Sequence, residues 1–411
     1  GYIYYTNMQI STLDWIIIFS FFALFIAVGL YYAKKSGKNS KEYFLSGRKM
    51  PWWLLGISMV ATTFSADTPN LVTNIVRESG VSGNWVWWAF LLTGMMTVFF
   101  YAKLWRRSEV LTDLEFYELR YSGKESMFLR AFRALYLGVF FNVMIMATVC
   151  LAGIKIGGIL LGLSPFECVF YSSLITVIYS SLGGLRSVIV TDLIQFALAM
   201  VGSIFACIYL LNLDQIGGLN QLITNPLVVD KLNFLPDFRD FDTLIVVFII
   251  PIAVQWWAVW YPGAEPGGGG YIAQRMLSAK DEKNAVYSTL LFNVAHYAIR
   301  PWPWIIVALV SIVSYPELSD PEKGYPKLMI DLLPHGLLGL LVVSFLSAFM
   351  STVSTHLNWG ASYIVNDFYK LYIKSNASEK HYLNVAKIST VLMMCLAIGV
   401  SLMFDSVKSG W

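Results

Sequence analysis

Residues 51–76 read PWWLLGISMVATTFSADTPNLVTNIV. The string has the length and apolar ends of a membrane helix. Its middle, Ala61 to Thr68, is instead a run of small and hydroxyl-bearing residues closed by Asp67, Thr68 and Pro69. A short polar side chain followed by proline is a helix-start signal: the side chain caps free N–H groups, and proline lacks the N–H that a first turn leaves unbonded. The pattern predicts a helix that breaks and restarts, with Asp67 as the cap. Lipid cannot satisfy backbone groups freed at membrane depth, so such breaks occur where protein or a water-filled cavity meets them, and unwound carbonyls can hold a cation. A simple proline kink is the competing reading, since proline and glycine are common in membrane helices.

Composition supports a membrane solvent. Of 411 residues, 57% are hydrophobic and only 13% charged, with mean hydropathy +0.60, which excludes a water-facing globule. The net charge of +3 is spread over short loops, which points away from nucleic acid. Cys150, Cys168, Cys207 and Cys395 lie in apolar stretches without paired spacing and read as small core residues. His296, His335, His356 and His381 are scattered without ligand spacing, and no nucleophile–base pair suggests an enzyme. The first apolar segment, near Leu13 to Tyr32, lacks a basic leader and a small-residue cleavage site, so it reads as a spanning helix and not as a signal peptide.

A helix needs about 20 apolar residues to cross the hydrocarbon. Ten segments qualify, centred near residues 22, 64, 93, 145, 173, 199, 253, 300, 350 and 393. Lys34, Lys35, Lys38, Lys41, Arg48 and Lys49 follow the first span, while the N-terminal tail has no Lys or Arg. The positive-inside rule therefore puts the N-terminus outside a plasma membrane. The later basic loops fit the same alternation: Lys103 to Lys124 after span three, Arg186 after five, Arg275 to Lys283 after seven, and Lys370 to Lys380 after nine. Gly267 to Gly270 reads as a flexible cytoplasmic turn, and Asn376, in a glycosylation-like sequence, also falls on the inner side.

Span seven carries punctuation like that of span two, with Pro251 inside it and Pro262, Gly263 and Pro266 at its end. Interrupted segments at matching positions suggest two inverted halves with a site between them. The chain then reads as one transmembrane domain, residues 1–411. It has an extra N-terminal helix at about 12–33, a first repeat at about 51–212 and a partial second repeat at about 242–411. The second half is short of one core helix, so the sequence looks truncated at its C-terminal end.

Residues 183–200 read GGLRSVIVTDLIQFALAM, and Asp192 is the only acidic residue between Ser187 and Leu211. A carboxylate at that depth costs about 2.5 to 3.5 kcal/mol on insertion scales and marks a functional site with a partner to be found. A bound cation is the partner this reading favours. Residues 344–370, SFLSAFMSTVSTHLNWGASYIVNDFYK, place Ala348, Ser351, Thr352 and Thr355 on one helix face, with Ser354 adjoining. Hydroxyls, carbonyls and one carboxylate form a hard-ligand set suited to a monovalent cation that must leave again, since calcium sites usually recruit more carboxylates. Close helix packing is the alternative use of such small residues, as expected of Gly153, Gly157 and Gly158 in span four.

Together these strings resemble the sodium:solute symporter family of sodium-coupled sugar, proline, pantothenate and sialic acid transporters. The likeness runs from about residue 42 to residue 411 and rests on YFLSGRKMPWWLLGISMVATTFSAD, GGLRSVIVTDLIQF, QRMLSAKD and FMSTVSTHLNWGASYIVNDFY. It implies an all-α polytopic, LeuT-like fold of five plus five helices with an extra N-terminal helix. It also implies a principal sodium site from the backbone carbonyls of Ala61, Phe64 and Ala348 and the hydroxyls of Ser351 and Thr352. A second sodium site, found in some members, would use Asp192 with Ser351, Ser354 and Thr355. Sodium would be co-transported and not a resident cofactor.

The implied function is sodium-coupled import of a small organic solute by alternating access. A sugar or sugar acid is favoured. Thr63, Ser65 and Thr68 lie at the break, where family members place substrate contacts. Gln255, Trp256 and Trp257 resemble an aromatic pair of sugar-transporting relatives, although tryptophan also anchors helices at membrane interfaces. Arg300 stands where those relatives carry lysine, and its planar fork suits a carboxylate. Lys155 is expected to snorkel. Three alternatives stay open from sequence: a sodium- or solute-sensing input module of a sensor kinase, a sodium leak channel, and proton coupling through Asp192.

Overall fold

The computed structural model describes residues 11–409 except 64, 66, 67, 258–268 and 335; the side chains of 155, 156, 159–161 and 405–409 are also outside the description. The predicted cap Asp67, the carbonyl of Phe64, and Pro262, Gly263, Pro266, Gly267 and His335 therefore lie outside the described residues, as does the Lys155 side chain. Among the described residues the fold is helical throughout, with one isolated bridge, Met50 to Ala279.

Helix α1 (Thr12–Ser36) starts on a capping box in which Ser11 and Asp14 bond each other's backbone. Asp14 also accepts from the N–H groups of Gly336 and Gly339, fixing α1 to a distant segment. The second expected span is two helices, α2 (Trp52–Thr63) and α3 (Thr68–Ser79), so the predicted break exists. Span three is a bent pair, α4 (Val81–Trp88) and α5 (Leu91–Ser108), meeting at 41°. Helix α6 (Lys124–Ile154) follows.

Spans five and six form one helical run, α7 (Pro165–Leu211), with no loop between them. It turns at Gly184, whose φ of 56° and ψ of −156° are left-handed and non-helical. A Cβ there would lie 2.7 Å from the Tyr43 carbonyl oxygen, so only glycine fits. This corrects the loop expected at Arg186. That arginine is buried in the turn and donates to the Ser46 carbonyl at 2.6 Å and to Glu42 at 3.2 Å. It thereby sits beside the segment that follows α1.

Span seven is the short apolar helix α8 (Phe241–Trp257). After it comes α9 (Gly270–Ser278), all nine of whose residues are buried. Arg275 therefore does not lie in a solvated loop: it is 0% exposed. Three longer helices complete the order: α10 (Glu282–Ser314), α11 (Leu337–Ile373) and α12 (Glu379–Phe404). In α10, Pro301 and Pro303 lack N–H groups, and a π-helical turn at Ala295–Ile299 precedes them, with the Arg300 N–H bonding back to Ala295. Six helices among the described residues are long and apolar enough to cross a membrane, or seven if the bent pair counts as one.

Helix α7 packs most extensively against α11 and α1, α2 lies against α10, and α6 lies against α12. Helix α11 is the centre of the bundle, buried from Val353 to Tyr363 without interruption. Small residues let the helices approach: Gly153 faces Phe349 and Gly157 faces Cys168, whereas nothing comes closer than 3.8 Å to a Cβ built on Gly158. Cys150 and Cys207 are core residues as expected, but Cys168 is only partly buried and Cys395 faces outward from α12.

Candidate functional site

The break between α2 and α3 positions the site. Thr68 closes it locally: its N–H donates to the Ser65 carbonyl at 3.2 Å, and its Oγ1 accepts from the Ser65 N–H at 3.3 Å. The last carbonyls of α2 point away from this turn and toward α11. Ala61 O accepts from Ser351 Oγ at 2.9 Å, and Thr62 O accepts from Thr352 Oγ1 at 3.1 Å. Both hydroxyls also lie against Ala348 O, at 3.2 and 3.1 Å. The structure therefore brings Ala61, Ala348, Ser351 and Thr352 into one buried group of oxygens. Thr62, which the sequence reading passed over, supplies a further carbonyl.

A second group adjoins the first. Asp192 is 0% exposed, and its Oδ2 accepts from Ser58 Oγ at 2.5 Å and faces Arg275 Nη2 at 3.6 Å. The sequence reading favoured a bound cation as partner; the structure adds a protein cation that it did not name, the guanidinium of α9. Arg275 donates from Nη2 to Thr355 Oγ1 at 2.6 Å, from Nε to Ser58 Oγ at 3.2 Å and from Nη1 to Gln274 Oε1 at 3.1 Å. Such bonding is what a buried ion pair requires to offset desolvation. Thr62 joins the two groups: its carbonyl meets Thr352 while its hydroxyl shares a 2.8 Å bond with Thr355. Ser354, the remaining member of the expected second site, donates to the Ser351 carbonyl at 3.2 Å.

Helix α9 supplies the residues hardest to find from sequence. Gln274 Nε2 donates to Asn358 Oδ1 at 2.9 Å and to the Phe44 carbonyl at 3.1 Å. The Tyr271 hydroxyl shares a 2.9 Å bond with Thr63 Oγ1, which also donates to the Met59 carbonyl at 2.7 Å. The available signal was QRMLSAKD, whose charged residues resemble a loop until the fold surrounds them.

Thr63, Ser65 and Thr68 share the break. Arg300 is 2% exposed, with its guanidinium 5.2 Å from the centre of the Trp304 ring and within electrostatic range of Tyr271 and Tyr297. Gln255, Trp256 and Trp257 lie at the end of α8. Trp256 and Trp257 form an edge-to-face pair at 5.4 Å, the Trp256 carbonyl accepts from Thr93, and Trp257 is 53% exposed. Among the described residues no group of three or more His, Cys, Asp or Glu is arranged to hold a metal ion, and the chemistry on offer at this site is neutral oxygen with one carboxylate. That set suits a hard monovalent cation.

Comparison with known proteins agrees in kind. The chain is 24% identical to a sodium/glucose cotransporter of Vibrio parahaemolyticus, covering 97% of this chain and 76% of that one. It is 26% identical to a sodium/mannose cotransporter of Bos taurus, over 98% and 70%, and 24% identical to a sodium/sialic acid symporter of Proteus mirabilis, over 97% and 78%. In fold it is similar to the substrate-bound, outward-open structure of a sodium-coupled sialic acid symporter, with a TM-score of 0.82, 21% identity, and coverage of 97% of this chain and 83% of the other. The model of the sodium:solute symporter family matches residues 43–407. The chain belongs to the sodium:solute symporter family.

Proposed function

We propose that this protein is a sodium-coupled symporter that imports a sugar or sugar acid by alternating access, in the plasma membrane with its N-terminus outside. The observation that carries the reading is the seam between the broken helix and α11, where Ser351 and Thr352 hold the carbonyls of Ala61 and Thr62. A sodium ion coordinated by Ala61, Phe64, Ala348, Ser351 and Thr352 bridges that seam and favours the arrangement in which it is closed. Solute binding at the break then biases closure on the outer side, and sodium loss to a low-sodium cytoplasm opens the inner side. Coupling of this kind requires only that each ligand bind one arrangement better than the other.

In this reading residues 51–212 and 242–411 are the two inverted halves. Thr63, Ser65 and Thr68 hydrogen-bond solute hydroxyls, Arg300 receives a carboxylate, and Gln255, Trp256 and Trp257 line the approach. Asp192, Ser354 and Thr355 belong to a second cation position, shared with Arg275. Radiolabelled uptake into proteoliposomes tests the whole: sugars, sugar acids and amino acids are offered under inward sodium, potassium or proton gradients. Accumulation driven by sodium alone is the expected result. Accumulation driven equally by protons overturns the sodium assignment, and binding without accumulation overturns transport.

A further inference from the structure

Asp192 uses only one of its oxygens. Oδ2 is engaged by Ser58 and Arg275, whereas Oδ1 has no hydrogen-bond partner and the residue is 0% exposed. One turn later on the same face of α7 stands Gln195, 1% exposed, whose amide oxygen and nitrogen make no hydrogen bond of good geometry, the Tyr179 hydroxyl being the polar group within reach. Buried polar groups are almost always paired, so an unpaired carboxylate oxygen and an underused amide on adjacent turns, at membrane depth, point to something that binds them.

The surroundings narrow what that is. Across from Gln195 lies the Tyr179 hydroxyl, next to the side chains of Gln195, Ser354 and Thr191, and donating to the Met350 carbonyl at 3.2 Å. Ser354 spends its hydrogen on the Ser351 carbonyl, and Thr191 spends its own on Ser187 and Val188. With their hydrogens committed elsewhere, these hydroxyls around Tyr179, itself within electrostatic range of Asp192, have lone pairs to offer a ligand. The cation paired with Asp192, Arg275, directs N–H groups to Ser58, Gln274 and Thr355 and faces Asp192 from the Oδ2 side.

We infer that Gln195 is a cation ligand of the Asp192 position, its amide oxygen meeting a sodium ion on the Oδ1 side of the carboxylate; this rests on the reading of Asp192 as an ion site. The chemistry favours an amide there. A second carboxylate would hold the ion too tightly to release, while an apolar side chain would leave the carboxylate oxygen unpaired. A neutral oxygen adds coordination without adding charge, and Arg275 already offsets the charge of Asp192. Sodium and Arg275 thus share one carboxylate from opposite sides. Ion loss strengthens the hold of Asp192 on α9, and ion entry loosens it.

Equilibrium binding of radiolabelled sodium to the purified full-length protein tests this without knowledge of the solute, with Asp192→Asn, Gln195→Leu and Gln195→Glu compared with the unaltered chain. The inference expects Gln195→Leu to weaken sodium binding about tenfold, the scale of one lost contact to a charged group, and Gln195→Glu to tighten it. A purely structural Gln195 would shift thermal stability in choline and leave sodium affinity unmoved in both variants. If Asp192→Asn weakens binding while both Gln195 variants bind normally, the role of Gln195 is overturned and the Asp192 site stands. If all three bind normally, both fall. Should Gln195→Leu fail to fold, Gln195→Glu decides alone: unchanged affinity overturns the inference.

Discussion

At the residue scale the two oxygen groups behave differently under substitution. Ser351 and Thr352 each contribute one hydroxyl between α2 and α11. Removing either leaves the Asp192–Arg275 pair intact, so Ser351→Ala and Thr352→Ala are expected to fold and to raise the half-saturating sodium concentration about tenfold, from loss of about 1.5 kcal/mol of ion–hydroxyl contact. Sodium titration of uptake checks this, and normal sodium dependence in both variants removes the principal site from this seam. Arg275 has the opposite profile. Arg275→Met strands a fully buried carboxylate, and breaking such a pair costs about 3 to 5 kcal/mol. Thermal unfolding in detergent is expected to show a marked loss for Arg275→Met and a partial recovery when Asp192→Asn is added. A single variant as stable as the parent would mean that the pair does not hold α9.

Elements are joined here by turns that tolerate little change. Gly184 turns α7 back along the molecule with a left-handed backbone and the Tyr43 carbonyl 2.7 Å from any Cβ. Gly184→Ala is therefore expected to abolish accumulation of folded protein, whereas Gly158→Ala, whose nearest neighbour is 3.8 Å away, leaves expression within about twofold because it adds no strain. Fluorescence-detected size-exclusion profiles of the two variants measure the difference. Restart of the broken helix at Thr68 was readable because capping and proline chemistry are local. The run-on of spans five and six was not. A Gly-Gly pair followed by an arginine fits a loop as well as a helical turn, and only packing against the 40–48 segment distinguishes them.

For the whole molecule the prediction is electrogenicity. Each net positive charge carried inward gains about 2.3 kcal/mol per 100 mV, so an inside-negative potential of that size is expected to raise steady-state solute accumulation roughly 50-fold per charge. Valinomycin-clamped proteoliposomes with no chemical sodium gradient provide the measurement, and accumulation indifferent to the potential argues for electroneutral exchange. The sequence alone determined the membrane class, the order of apolar segments, the break in span two and the hydroxyl face of α11, because hydropathy, capping and helical period are properties of neighbouring residues. It also singled out Asp192, since an acid in an apolar run is conspicuous without a fold. Tertiary structure alone decided the partner of that acid. Arg275 lies 83 positions away in a segment that local polarity assigns to water, and only the burial of α9 between α2 and α11 turns a loop cation into the counter-charge of the core. Thr62 and Gln195 stood inside stretches that the sequence marks out, but with no role of their own, because only the surrounding helices show which of their bonds are made and which are not.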